Sequence, residues 1–421
     1  MNSHHIPIQR GIAPVIAESL DSLRAVVLNG ARQTGKTTMM RELHASTPGS
    51  SFLNLDDSAT RESMRADPHG LVDHATRPTM IDEVQRGGMN LVLAIKAAVD
   101  MDRERGQFLL AGSTRFLSEP SLTESLAGRV GVIDIWPFSQ GEMNGTIERF
   151  VDVAFDDVAK VRRSDPEQLS RIDYLSKIIA GGFPEAHALS ERPRNKWFSG
   201  YIDAITTRDI REMARVREPS QARTILNCLA ASTGQELNTT TLSNRSTISR
   251  KTVDRYVELL DAMFMTHRLP ALHNNVLTRA SKHKKVYLTD TGLAGYLLAE
   301  SIESLAQPVA PSLGPLCETF MVNEIAKQAT WAQHELHLHH YREYSGPEVD
   351  LVIRRPNNTI VGLESKASTT VGAGDFSGLK TLANRLGSKF VHGYVTYLGT
   401  EVRPFGPTMT AIPLSSLWAA L

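Results

Sequence analysis

Eight residues constrain this chain more than any others. Gly30-Ala31-Arg32-Gln33-Thr34-Gly35-Lys36-Thr37 satisfies the pattern G-x-x-x-x-G-K-[ST] at each fixed position, directly after the apolar run Ala25-Val26-Val27-Leu28. A buried strand that turns through glycines into a helix presents successive backbone N–H groups to phosphate oxygens. The lysine then reaches the β and γ phosphates, and the threonine hydroxyl meets Mg²⁺. The pattern predicts nucleoside triphosphate binding, with ATP and Mg²⁺ as cofactors, through Gly30, Ala31, Arg32, Gln33, Thr34, Gly35, Lys36 and Thr37, with Thr38 next on the helix.

Such a site needs a carboxylate for the metal on a neighbouring strand and a group to orient the attacking water. Pro78-Thr79-Met80-Ile81-Asp82-Glu83 supplies both: Asp82 as metal ligand through water, Glu83 as the orienting or deprotonating group. Phe108-Leu109-Leu110-Ala111-Gly112-Ser113-Thr114 reads as a further buried strand, whose Ser113 or Thr114 is expected beside the γ-phosphate as a sensor. Arg129, closing Ser125-Leu126-Ala127-Gly128-Arg129, is either an arginine finger contributed by a neighbouring subunit, which would make the protein a homo-oligomer, or a surface arginine at a helix end.

Apolar strand runs alternate with helical patterns from residue 20 to about 136, and this alternation predicts a parallel sheet covered by helices. Beyond Trp136-Pro137-Phe138 the pattern is helical, broken at Gly181-Gly182-Phe183-Pro184-Glu185. Residues 196 to 230 read as helix, with Arg208, Arg211, Arg215 and Arg217 interspersed with acids on a salt-bridged face. Residues 238 to 264 read as a helix-turn-helix. Ser249 caps a second helix with Val253, Tyr256, Val257, Leu260, Met263 and Phe264 on one face and Arg250, Lys251 and Arg255 on the other. That basic face suits DNA phosphates, and packing is the competing use of the module. Ser281-Lys282-His283-Lys284-Lys285 is a phosphate-contacting wing or a solvated loop.

The C-terminal third holds a second constellation. Glu318 lies early in a helix spanning 316 to 327. Glu348-Val349-Asp350 and Glu364-Ser365-Lys366 lie on two strands of a hairpin, and Glu364 and Lys366 share a parity. Glu318, Asp350 and Glu364, with the Ser365 carbonyl, are a candidate Mg²⁺ site, and Lys366 is placed to activate water.

Composition limits these readings. The 421 residues carry 46 basic and 46 acidic side chains, so no net field draws the chain to nucleic acid or to an anionic membrane. Its two cysteines, Cys228 and Cys317, match no zinc or redox spacing. No run approaches a membrane span, and a cytoplasmic protein without membrane partners is expected.

Taken together these segments resemble the AAA-type bacterial and archaeal P-loop ATPases that carry a C-terminal domain of unknown function related to restriction-endonuclease-like, PD-(D/E)xK nucleases. The matching residues are Gly30 to Thr37, Leu53-Asn54-Leu55-Asp56-Asp57, Asp82-Glu83-Val84-Gln85-Arg86, Leu110 to Ser113, Ser125 to Arg129, Gly181 to Glu185, Lys251-Thr252-Val253, Tyr287 to Leu293, Glu348 to Asp350 and Glu364 to Lys366. The resemblance implies an α/β fold: a RecA-like P-loop ATPase core with a parallel sheet at 1–140, a helical region at 141–230, a winged-helix-like region at 231–312 and a nuclease-like α/β domain at 313–421. Lys36, Glu83 and Arg129 would then serve ATP hydrolysis, and Asp350, Glu364 and Lys366 nucleic-acid cleavage. Ser365 departs from the apolar residue usual between glutamate and lysine, and Thr79-Met80 is less apolar than the usual strand before Asp-Glu. The competing expectations are a nucleotide switch that binds a protein partner through a dead nuclease-like scaffold, and a defence or toxin-like protein.

Overall fold

The structure is a computed structural model that describes residues 8–114, 128–213, 218–272, 284–343 and 346–421. It divides into two compact units: Ile12–Pro137 with Ala262–Phe264, and Phe138–Asp261 and Met265–Leu421 with the residues before Ile12. Apart from Ala262–Phe264, the segments expected as separate regions at 141–230, 231–312 and 313–421 lie in the second unit.

In the first unit five strands, β1 (Ala25–Asn29), β2 (Ser51–Asn54), β3 (Thr79–Asp82), β4 (Phe108–Gly112) and β5 (Val130–Asp134), form a parallel sheet in the order β2-β3-β4-β1-β5. Strands β1 and β4 are buried throughout, which explains their unbroken apolar runs. Val27, Ile81, Phe108 and Leu110 pack with Leu91, Val92 and Ile95 of the helix Gly88–Met101. The run Leu53-Asn54-Leu55-Asp56-Asp57 is strand only as far as Asn54. The Asp57 carboxylate instead accepts from Thr60 N at 2.8 Å and caps the helix Ser58–Ala66.

The second unit begins with short helices and then Arg171–Ala180, which ends at Gly181 with φ 68°, the predicted break. The helix expected over 196 to 230 is interrupted. Glu191–Asp203 passes into a π-helical turn at Ala204–Asp209, and a new helix starts at Pro219. Thr206 and Thr207 turn their hydroxyls back onto the carbonyls of Ile202 and Asp203, a bonding mode that bends helices. Arg215 and Arg217 lie outside the described residues.

Thr239–Ser246 and Arg250–Ala262 form two helices joined through a left-handed Thr247, φ 57°. An antiparallel sheet follows, β6 (Gln235–Glu236), β8 (Lys285–Leu288) and β7 (Thr266–Leu269) in that order. Ser281, Lys282 and His283 lie outside the described residues. A six-stranded mixed sheet completes the unit: β9 (His337–Arg342), β10 (Glu348–Arg354), β11 (Ile360–Lys366), β12 (Phe390–Tyr397), β13 (Arg403–Pro404) and β14 (Met409–Pro413), ordered β13-β14-β12-β11-β10-β9. The predicted hairpin is β10 antiparallel to β11, whereas β11, β12 and β14 run parallel.

One helix, Leu313–Ala329, ties this unit together, and most of it is buried, polar residues included. Each buried polar group has a partner elsewhere in the unit: Thr319 with Thr233 (2.8 Å), Asn323 with Leu288 O (3.0 Å), Lys327 with Phe138 O (2.9 Å) and Gln328 with Leu417 O (2.7 Å). Such bonds are obligatory, because an unpaired buried polar group costs about 1–3 kcal/mol. Among the described residues, no helix is long and apolar enough to cross a membrane.

Candidate nucleotide site and a second acidic cleft

The glycine-rich loop leaves the carboxyl end of β1, where ligands of open α/β sheets bind. A Cβ on Gly30 would stand 2.2 Å from the carbonyl oxygen of Ile135, so only glycine fits there. Gly35, at φ 93°, is the N-cap of the helix Lys36–Ser46 and aims that helix's first N–H groups into the loop. Lys36 is buried, its ammonium donating to Gly30 O (2.8 Å) and Ala31 O (2.7 Å), while Thr34 Oγ1 donates to Ala31 O at 2.9 Å. Desolvation lowers the Lys36 pKa to about 8, against the opposing pull of Glu83 and Asp82. Arg32 is half-buried, whereas Gln33 and Thr38 are exposed.

Asp82 ends β3, which is not hydrogen-bonded to β1; β4 lies between them. The carboxylate nevertheless reaches the loop helix, since Thr37 Oγ1 donates to Asp82 Oδ2 at 2.7 Å. These two hard oxygen donors, already in contact, suit Mg²⁺. Glu83 follows in a left-handed conformation, φ 54°, a strained geometry concentrated at functional positions. Its pKa is raised, first by burial and then by Asp82. Ser113 Oγ donates to Glu83 Oε2 at 3.3 Å, and Gln85 Nε2 donates both to Glu83 and to Ser113 Oγ (3.0 Å). The structure thus joins Ser113 to the acidic pair through Gln85, a residue that sequence reasoning passed over. Arg129 is held elsewhere: its guanidinium donates to both Asp100 oxygens at 2.6 and 3.1 Å. Ser125 to Ala127 lie outside the described residues.

The second constellation lines a cleft of about 580 Å³ containing Glu318, Asp350, Glu364 and Lys366. Asp350 and Glu364 sit one step beyond the Leu351–Leu363 cross-strand pair of β10 and β11, the register that places facing residues on one side of a sheet. Asp350 Oδ2 accepts from Ser365 N (2.9 Å), and Lys366 Nζ donates to Glu364 Oε1 (3.1 Å). Burial, then Asp350, pushes Glu318 up to about 7 and Glu364 up to about 8.

Into this cleft projects Lys285 from β8, its side chain only 3% exposed. Its Nζ lies 2.7 Å from Glu318 Oε1, 2.5 Å from Glu348 Oε1 and 3.5 Å from Asp350 Oδ1. Tyr287, two residues on, donates to the same Glu318 oxygen at 2.7 Å. Burial opposes the Lys285 charge, but the three carboxylates outweigh it and its pKa rises. The oxygen donors suit a hard cation, yet their shared position holds an ammonium. Among the described residues no group of three His, Cys, Asp or Glu side chains is arranged to hold a metal ion. In the sequence Lys285 closes a basic run, and neither Glu348 nor Tyr287 stands out as a site residue. The alternation of Lys285 and Tyr287 on one strand face was the available signal.

A parallel sheet carrying this loop after β1, with Thr37 bonded to an acidic pair at the end of β3, defines a P-loop ATPase fold. In keeping with it, residues 22–144 match the model of an AAA domain, residues 171–304 that of a domain of unknown function (DUF8612) and residues 313–417 that of a domain of unknown function (DUF4143). Uncharacterized proteins of Mycobacterium bovis and Mycobacterium tuberculosis are each 27% identical over 418 residues, 97% of this chain and 84% of theirs. An uncharacterized protein of Haemophilus influenzae is 24% identical over 233 residues, 52% of each chain. Among solved structures, a Walker-type ATPase of Pyrococcus abyssi has a TM-score of 0.44 and 14% identity, covering 70% of this chain and 97% of that one.

Proposed function

We propose that the protein is a Mg²⁺-dependent ATPase that uses nucleotide state to control engagement of nucleic acid, DNA in the first instance. The hydrogen bond from Thr37 to Asp82, beside the buried Lys36, carries the first half of this reading. Bound ATP would lay its phosphates along the loop amides and Lys36. Mg²⁺, held by Thr37 and through water by Asp82, would neutralise β- and γ-phosphate charge. Glu83, supported by Gln85 and Ser113, orients the attacking water and accepts its proton. Lys36→Ala should weaken nucleotide binding by about 10- to 160-fold, the loss expected of a charged hydrogen bond worth ~1.5–3 kcal/mol. Titration with a fluorescent ATP analogue measures it, and unchanged affinity removes Lys36 from the site.

A second reading concerns the C-terminal cleft, where Glu318, Asp350, Glu364 and Lys366 converge as the side-chain set of a phosphodiesterase. Because Lys285 takes the shared cation position, this reading is of a phosphodiester site in charge-neutralised form. Incubating the full chain with DNA and RNA, with and without Mg²⁺ and ATP, tests it. Cleavage in any nucleotide state supports it, whereas absence of cleavage by both the parent and Lys285→Met leaves the cleft a scaffold and favours the partner-binding switch.

A further inference from the structure

We infer that Lys285 is a built-in cation that locks the acidic cleft against divalent metal, so that the site opens to metal only when β8 withdraws this side chain. The inference rests on reading the cleft as a cation site of the phosphodiesterase kind, and it adds the device that regulates it.

Three features carry it. The first is occupancy: one ammonium stands within 3.5 Å of carboxylate oxygens from Glu318, Glu348 and Asp350, which come from a helix and from β10. A divalent ion drawn to Glu318 and Asp350 would have to stand beside Lys285 Nζ, and the two cations repel strongly in a buried site of low dielectric. The second is origin. Lys285 belongs not to the sheet that carries Glu348, Asp350 and Glu364 but to the three-stranded sheet whose β7 and β8 follow the two helices Thr239–Ser246 and Arg250–Ala262. Movement of β8 would therefore change the charge of the cleft. The third is incompleteness. Lys285 meets Glu318, Glu348 and Asp350 but not Glu364, whose Oε2 is buried without a partner even though Lys366 bonds its Oε1. Tyr287 donates to the same Glu318 oxygen and fixes the carboxylate toward the lysine.

The test uses the full chain without nucleotide and Mn²⁺ as the probe, read by thermal shift and by electron paramagnetic resonance of free Mn²⁺. The parent protein should show no Asp350-dependent binding. Lys285→Met, similar in length and uncharged, should gain one site with an affinity at least about tenfold above the parent, equal to ~1.4 kcal/mol. The gain should vanish in Lys285→Met/Asp350→Asn. Parent protein that binds Mn²⁺ through Asp350 overturns the inference, as does folded Lys285→Met that binds none. Should Lys285→Met not fold, acetylation of the native parent decides. Lys285 that stays unmodified while Lys366 reacts supports the lock, and Lys285 that reacts as fast as Lys366 overturns it. Metal binding by Lys285→Met without nucleic-acid cleavage leaves the lock standing and sinks the phosphodiester reading alone.

Discussion

Glu148 shows at the residue scale what burial does to a charge in this fold. Its Oε1 accepts from Gly141 N at 2.6 Å, while Oε2 is buried without a partner, and burial followed by the nearby Glu324 raises its pKa from 4.5 to about 7. The folded state therefore prefers the protonated acid. That preference contributes stability fully below about pH 4.5 and is lost as pH rises through about 7, because the unfolded chain releases the proton more readily. Stability should fall between about pH 5 and 8 by ~1–3 kcal/mol from this group. Glu148→Gln, which keeps an acceptor for Gly141, should flatten that slope and exceed the parent in urea midpoint at about pH 8. An unchanged slope would show that the carboxyl is ionised in the fold. The loop residues follow the same physics with a different outcome: Lys36 loses solvent but gains two carbonyls, and remains a cation positioned for phosphate.

At the scale of elements, the helix Arg250–Ala262 separates packing from recognition. Val253, Tyr256, Val257 and Leu260 are buried, whereas Arg250, Lys251 and Arg255 are exposed. Replacing these three basic residues with alanine should weaken DNA binding and reduce the slope of log affinity against log salt by ~0.9 per lost phosphate contact. An unchanged slope makes the helix a packing element only. Its outline was legible in the sequence because apolar spacing at 3.6 residues and the Ser249 cap are local signals; Ser249 Oγ accepts from Thr252 N at 3.3 Å. The P-loop was legible for the same reason, since strand, loop and helix are contiguous. Two relationships were not. The insertion of β4 between β1 and β3 depends on crossovers, and the meeting of Lys285 with Glu318, Glu348 and Asp350 depends on packing between segments tens of residues apart. Spacing within one segment carries no trace of either. The interruption at Ala204–Asp209 has a local cause, the paired threonines, that helical periodicity conceals.

The whole molecule makes its strongest statement through the helix Leu313–Ala329. Taken alone, the segment 313–421 would strip Thr319, Asn323, Glu324, Lys327 and Gln328 of partners at Thr233, Leu288, Gln140, Phe138 and Val151. Water would replace these bonds, and each is worth a net ~0.5–1.5 kcal/mol, against a typical total stability of about 5–15 kcal/mol for a domain. The segment 313–421 should therefore not fold cooperatively by itself, and dispersed amide resonances from the isolated piece would contradict this. The P-loop unit has its own core, and the function proposed for it is ATP hydrolysis with Glu83 positioning the water. Single-turnover phosphate release from Mg²⁺-ATP tests this most directly when the parent is compared with Glu83→Gln. The variant should bind ATP as tightly as the parent and release phosphate about 10²- to 10⁴-fold more slowly, the usual contribution of a positioned base. Equal rates in the two proteins, or parent protein that binds ATP and never releases phosphate, would contradict it.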